Sequence, residues 1–72
     1  MTATVLLLGG TAETARMAEL LLADGFTVLV STATEEPLSL PAHSRLRRRC
    51  GRLDAAGLAG LIRAERIAAI VD

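Results

Sequence analysis

The chain has 72 residues, and eight basic and eight acidic side chains give it a formal net charge of zero and a pI of about 6.6. Hydrophobic residues make up 51% of the sequence, which excludes a disordered chain. Aromatic residues make up only 1%, and there is no basic excess overall, so the composition argues against a protein that binds nucleic acid.

The first predicted element is a strand. Val5–Leu8 is a continuous apolar run closed by Gly9 and Gly10, a pattern typical of a strand buried on both faces of a parallel sheet. The run is too short for a signal-peptide core or a membrane span, and no basic residue precedes it. We therefore expect a cytoplasmic protein without a membrane partner.

A helix and a second strand are predicted next. From Ala12 onward, apolar residues recur at helical spacing. The expected buried face consists of Met17, Ala18, Leu20 and Leu21. Gly25 is expected to end the helix, because glycine adopts the left-handed conformation there without steric cost. Phe26–Val30 is rich in β-branched residues and predicts a second strand, parallel to the first.

The second half repeats this order after a loop. Residues 32–45 contain both prolines and predict a loop, and 46–50 predict a short strand. Asp54 is a suitable N-cap for a second helix, and 67–71 predict a final strand of the buried type. The apolar side of that helix would carry Leu58, Leu61 and Ile62.

This order of elements predicts an α/β fold. It is typical of half of a Rossmann-like, doubly wound domain, with a parallel sheet of about four strands in the order 3-2-1-4 and helices on both faces. Ligands of such sheets bind outside the carboxyl ends of the strands, and here the last strand ends at Asp72. We therefore expect residues 1–72 to be the N-terminal part of a longer domain, and inactive alone.

The glycine turn after the first strand is a candidate phosphate site. A strand followed by glycines and a helix start offers backbone N–H groups and the positive end of a helix dipole. Gly9, Gly10 and Thr11 would form this cradle, although the full G-x-G-x-x-G pattern is absent. Glu13, in the first helical turn, would either favour the helix dipole or orient donors near a phosphate. The alternative is a plain tight turn.

The end of the second strand favours NADP over NAD as the bound dinucleotide. NAD-binding folds place an acid about 20 residues after the glycines, where it binds the ribose 2′-hydroxyl. Here that region holds Ser31 and Thr32, and the next acid is Glu35. Hydroxyl groups without a carboxylate tolerate a 2′-phosphate, and the nearby arginine cluster could supply its counter-charge, so a bound dinucleotide would be NADP rather than NAD. The alternative is that both residues merely end a strand.

The charges are balanced in sum but separated along the chain. Residues 1–36 hold one arginine and five acids, a net charge of −4, whereas 37–72 hold seven arginines and three acids, a net charge of +4. Five arginines lie between Arg45 and Arg52, where they could pair with a phosphate or an acidic substrate, or form a solvated edge-strand face. Cys50 is expected to be a small buried residue, and no metal-ligand set or catalytic triad stands out.

Several motifs together resemble one enzyme family. The motifs GGTxE at residues 9–13, STATE at 31–35 and GRLD at 51–54 occur in this order. Their joint occurrence resembles the N-terminus of the precorrin-6A reductase and cobalt-precorrin-6A reductase family, over nearly the whole chain.

The resemblance implies an NADPH-dependent reduction of precorrin-6A, or its cobalt form, to precorrin-6B in cobalamin biosynthesis. The substrate would be a corrinoid tetrapyrrole with many carboxylates. By position, Gly9, Gly10, Thr11 and Glu13 would lie in the cofactor turn, with Ser31 and Thr32 beside the adenosine ribose. Many family members carry an arginine where this chain has Ala15, so the neighbouring Arg16 receives no cofactor role.

Two alternative functions remain open from the sequence. One is an atypical short-chain dehydrogenase or another NADP-binding reductase, which would carry a Tyr-x-x-x-Lys motif farther along its chain. The other is a non-catalytic module that senses nucleotides. The sequence identifies neither the catalytic residues nor the oligomeric state.

Overall fold

The computed structural model describes residues 2–9, 13–35 and 40–71, which form six elements in the predicted order. These elements are β1 (Thr4–Leu8), α1 (Glu13–Ala23), β2 (Thr27–Thr32), β3 (Leu46–Cys50), α2 (Ala55–Glu65) and β4 (Ile67–Val71). Gly10 and Thr11, two of the predicted cofactor residues, lie outside the described residues.

The four strands form one parallel sheet in the order β3-β2-β1-β4, which confirms the predicted topology. Val5 of β1 lies opposite Val28 of β2, and Val28 lies opposite Leu46 of β3. Because every strand points the same way, the carboxyl ends of β1, β2 and β3 meet at one edge of the sheet.

The core lies on the central strands. Leu6, Val28 and Val30 are the largest fully buried side chains, and Val5 and Leu7 are also buried. Alternate residues of a strand point to opposite faces, so the burial of three successive residues of β1 means that both faces are covered. The sequence prediction of a doubly buried first strand is confirmed.

Helix α1 packs on the sheet face that carries Leu7, Val28 and Val30. Its buried residues are Thr14, Ala18 and Leu22, with Met17 and Leu21 packed beside them. The prediction that Leu20 belongs to this face is wrong, because Leu20 is 54% exposed. Two residues along a helix turn the side chain by about 200°, so Leu20 points away from the direction of Ala18.

Gly25 ends α1 as predicted, with a φ of 93° in the left-handed region. The Phe26 N–H donates to the Leu21 carbonyl at 3.1 Å and the Gly25 N–H to the Leu22 carbonyl at 3.0 Å. This is the hydrogen-bond pattern of a Schellman cap. The Arg45 guanidinium also donates to the Leu22 carbonyl, at 3.1 Å, and places a positive charge at the negative end of the helix dipole.

Helix α2 covers the opposite face of the sheet. Asp54 caps it as predicted, since its carboxylate accepts a hydrogen bond from the Gly57 N–H at 2.7 Å. Glu65 of α2 forms an ion pair with Arg47, whose side chain lies on the sheet face away from α1. Helices therefore lie on both faces, as predicted, although no residue of α2 is fully buried.

Strand β4 differs from its prediction. Its sequence is of the buried type, yet Ala68 and Ala69 are exposed and Ile70 is 45% exposed. The reason is its position, because β4 is an edge strand of the described sheet and pairs only with β1.

Candidate nucleotide-binding cleft

A cleft of about 350 Å³ lies where β1, β2 and β3 end. Its lining includes Gly9 after β1, Ser31 and Thr32 at the end of β2, Gly51 and Arg52 after β3, and Leu58 of α2. The volume is at the lower end of the range for small-molecule sites, about 300–1,000 Å³. The cleft therefore suits one portion of a dinucleotide, and it occupies the edge of the sheet where ligands of this fold bind.

Gly9 permits a close approach between the end of β1 and the start of α1. A Cβ atom on Gly9 would lie 2.8 Å from the Thr14 hydroxyl oxygen, and Thr14 is only 3% exposed. The Gly9 N–H donates to the Ser31 carbonyl at 2.9 Å and so extends the sheet. Its N–H is therefore engaged in the sheet, and its direct contribution to the cleft is steric.

Glu13 is the first residue of α1 and is exposed. It is not among the residues that line the cleft. The structure thus places Glu13 at the positive end of the α1 dipole, where a carboxylate is favourable, and does not bring it to Ser31 and Thr32.

Ser31 and Thr32 are the last two residues of β2, and both are buried, at 6% and 4% exposure. The Ser31 hydroxyl accepts a hydrogen bond from Arg49 Nη1 at 2.7 Å. The Thr32 hydroxyl accepts from Arg48 Nη2 at 3.1 Å and donates to the Thr34 carbonyl at 2.8 Å. Both hydroxyls thus lie beside guanidinium groups, at the point where NAD-binding folds hold a carboxylate.

The arginines of residues 45–52 are mostly engaged within the chain. Arg45 donates to the end of α1, Arg47 pairs with Glu65, and Arg48 and Arg49 donate to the two hydroxyls of β2. These arginines are therefore not simply a solvated face of an edge strand. Sequence reasoning missed these contacts because they join helices and strands that are far apart in the chain, and residue spacing does not reveal them.

Gly51 is a site residue that the sequence analysis did not single out. Its φ is 116°, a left-handed backbone conformation that residues with a side chain rarely adopt. The Gly51 N–H donates to the Thr32 carbonyl at 2.9 Å, and its own carbonyl accepts from Arg49 Nη1 at 3.0 Å. The signal that could have revealed it is a glycine directly after a strand, the same signal that marked Gly9.

Cys50 is exposed, so the expectation of a small buried residue is wrong. It is the last residue of β3, an edge strand, and its sulfur lies 3.6 Å from the Thr32 hydroxyl oxygen. Within residues 2–9, 13–35 and 40–71, no group of three His, Cys, Asp or Glu side chains could hold a metal ion. Neither described helix is long and apolar enough to cross a membrane.

The parallel sheet in the order 3-2-1-4, flanked by two helices, is the architecture of half of a Rossmann-like domain. The family model described as "Precorrin-6x reductase CbiJ/CobK" matches residues 4–72, and the chain belongs to this family. The family resemblance of the motifs is thereby confirmed.

A solved structure is also similar to the chain. Its title is "CobK precorrin-6A reductase", and the two share 30% sequence identity with a TM-score of 0.73. The match covers 96% of this chain and 27% of that chain, so the 72 residues span about a quarter of its length. No curated protein matches the chain.

Proposed function

We propose that the protein is an NADPH-dependent reductase that converts precorrin-6A, or its cobalt form, to precorrin-6B in cobalamin biosynthesis. Residues 1–72 would form the N-terminal part of its NADPH-binding domain, and the enzyme would be cytoplasmic. The family and the similar solved structure support the class of reaction. In this proposal a longer protein would supply the catalytic residues, since the match covers only 27% of the similar solved chain.

The cleft carries the argument for the cofactor. Ser31 and Thr32 lie at the end of β2, and the described residues that line the cleft include Arg52 but no acid. A carboxylate at this point would hydrogen-bond a ribose 2′-hydroxyl and repel a 2′-phosphate, whereas hydroxyls and a guanidinium attract the phosphate. The residues present therefore fit NADPH better than NADH.

In this proposal the chain binds and orients the cofactor. NADPH, when bound, supplies the hydride, and the protein provides position and electrostatics. Ser31 and Thr32 would contact the adenosine ribose. Gly9 would allow α1 to begin close to the sheet. Gly10, Thr11 and Glu13 remain predictions for the pyrophosphate turn.

The substrate proposal depends on the family alone. A corrinoid carries many carboxylates, and the second half of the sequence has a net charge of +4, which favours such a partner. However, Arg45, Arg47, Arg48 and Arg49 donate to groups of this chain. We therefore assign none of these four arginines to the substrate.

The test is to compare NADPH with NADH on the protein at its full natural length. We expect NADPH to bind at least about tenfold more tightly, which corresponds to about 1.4 kcal/mol. We also expect NADPH to be oxidised in the presence of precorrin-6A or its cobalt form. Equal or tighter NADH binding would contradict the cofactor proposal. Tight NADPH binding without turnover of either substrate would favour a nucleotide-sensing module instead.

A further inference from the structure

We infer that Arg52 is the residue of this chain that selects a 2′-phosphate, and that Arg49 is the positioning residue that holds it in place. The inference depends on the proposed NADPH function and deepens it. It assigns cofactor preference to one residue in the turn after β3, whereas the sequence analysis named the arginines between Arg45 and Arg52 as possible phosphate partners without choosing among them.

Arg52 differs from the neighbouring arginines in what surrounds it. Arg49 donates to three oxygens of its own chain, those of Ser31, Gly51 and Cys50. Arg52 is exposed, lines the cleft, and has no hydrogen-bonding or ionic partner among the described residues. Its donors are thus available to a ligand in the cleft that Ser31 and Thr32 also line, and a guanidinium can bind phosphate oxygens bidentately.

The backbone that carries Arg52 is held firmly against β2. The Gly51 N–H donates to the Thr32 carbonyl at 2.9 Å, and the Gly51 carbonyl accepts from Arg49 Nη1 at 3.0 Å. The left-handed φ of 116° at Gly51 turns the chain directly after β3. Both backbone groups of Gly51 are therefore fixed, and the position of the Cα of Arg52 relative to Thr32 is defined.

Arg49 connects Ser31, which would contact the ribose, with the turn that carries Arg52, which would contact the 2′-phosphate. Its Nη1 atom donates both to the Ser31 hydroxyl, at 2.7 Å, and to the Gly51 carbonyl, at 3.0 Å. One nitrogen thus connects the end of β2 with the turn that precedes Arg52. The acceptors of Arg49 are a hydroxyl and two carbonyls, so none of them compensates its positive charge, which adds to the potential that attracts an anion.

The experiment measures the dissociation constants of NADPH and NADH for variants of the full-length protein. Arg52→Ala should weaken NADPH binding by about 10- to 100-fold, as expected for the loss of hydrogen bonds between charged groups. NADH binding should change by less than about threefold, because no phosphate contact is lost. Arg52→Lys should recover part of the preference, since it keeps the charge but not the bidentate geometry. Adenosine 2′-phosphate should compete with NADPH in the wild type and lose this ability in Arg52→Ala.

Arg63→Ala is the matched control. The substitution removes the same charge from the last turn of α2. Arg63 is exposed and does not line the cleft. The substitution should leave the ratio of NADH to NADPH dissociation constants unchanged. If Arg63→Ala lowers this ratio as much as Arg52→Ala does, the preference comes from overall charge and the inference is wrong.

A double-mutant cycle tests the positioning role of Arg49. Arg49→Lys keeps the charge but cannot bridge Ser31 and Gly51 in the same geometry, so the preference for NADPH should fall by about three- to tenfold. In the Arg52→Ala background the same substitution should cause no further loss of preference. Independent, additive losses would show that Arg49 does not act through Arg52.

The outcomes also separate this inference from the proposed function. A wild-type protein without preference for NADPH would refute the cofactor proposal itself. A wild-type preference that Arg52→Ala leaves intact would refute only the role of Arg52. The thermal midpoint of each variant shows whether it is folded, and Arg52→Gln provides a second uncharged variant that keeps the polarity of the side chain.

Discussion

Substituting Gly9 by alanine tests the close contact between β1 and α1. The added Cβ would lie 2.8 Å from the Thr14 hydroxyl oxygen, well inside the optimum of about 3.5–4.0 Å for non-bonded carbon atoms. Thr14 is 3% exposed, so it cannot turn out into solvent. The φ of Gly9 lies outside the left-handed region, because Gly25 and Gly51 are the positive-φ glycines of the described residues. The cost of Gly9→Ala is therefore steric.

The magnitude follows from two opposing effects. Overpacking of a buried contact costs about 1–3 kcal/mol. Replacing glycine lowers the entropy of the unfolded chain, which stabilises the folded protein by about 0.4–1 kcal/mol. Because the added Cβ would lie within 3.0 Å of Thr14 atoms, the upper part of the overpacking range applies, about 2–3 kcal/mol, and we expect Gly9→Ala to lower the free energy of unfolding by about 1–2.6 kcal/mol. Urea denaturation of the full-length protein, followed by circular dichroism, measures this change.

Two further variants make the Gly9 test specific. Gly60→Ala is the control, because a Cβ at Gly60 meets no atom within 4 Å and the residue lies inside α2. It should raise stability by up to about 1 kcal/mol through helix propensity. Thr14→Ser removes the methyl group nearest to the new Cβ and should restore part of the loss in Gly9→Ala. A change of less than about 0.5 kcal/mol in Gly9→Ala, the range of an ordinary surface substitution, would refute the reasoning.

Two other predictions concern the helices. Asp54→Ala should lower the free energy of unfolding by about 1 kcal/mol, because the Gly57 N–H loses its capping acceptor, and Asp54→Ser should retain most of it in the same urea assay. Leu22→Ala should cost about 2–5 kcal/mol, whereas Leu20→Gln should change stability by less than about 0.5 kcal/mol, since Leu22 is 6% and Leu20 is 54% exposed. Equal thermal shifts for Leu20→Gln and Leu22→Ala would contradict the observed orientation of α1.

The topology could be predicted because local signals agree along the chain. The apolar run of β1, the cap at Gly25 and the N-cap at Asp54 each mark a boundary by their own chemistry. Once two β-α-β crossovers are recognised, their right-handedness leaves few strand orders. The order 3-2-1-4 then follows without knowledge of any side-chain contact.

The failures have a common cause, which is that burial depends on neighbours distant in sequence. Ile70 and Cys50 are apolar by composition, yet both lie on edge strands of the described sheet and are exposed. Leu20 fits the helical period, but the burial of Ala18 and Leu22 fixes a different orientation of the helix. Composition indicates which residues could be buried, and only the assembled sheet decides which of them are.

The candidate site also depends on contacts between residues that are distant in sequence. The sequence analysis assigned phosphate binding to the glycine turn, but the Gly9 N–H donates to β2. Arg49 donates to neutral oxygens of Ser31, Gly51 and Cys50, which join β3 to β2 without cancelling its charge. The hydrogen bonds that fasten this edge strand therefore also leave a positive charge at the carboxyl ends of β2 and β3. The acids and the arginines of this chain are separated in sequence, so a net charge of zero is compatible with a positively charged cleft. Among the described residues Arg47 pairs with Glu65, whereas these acceptors of Arg49 are neutral, which is the charge distribution that the proposed binding of an anionic cofactor requires.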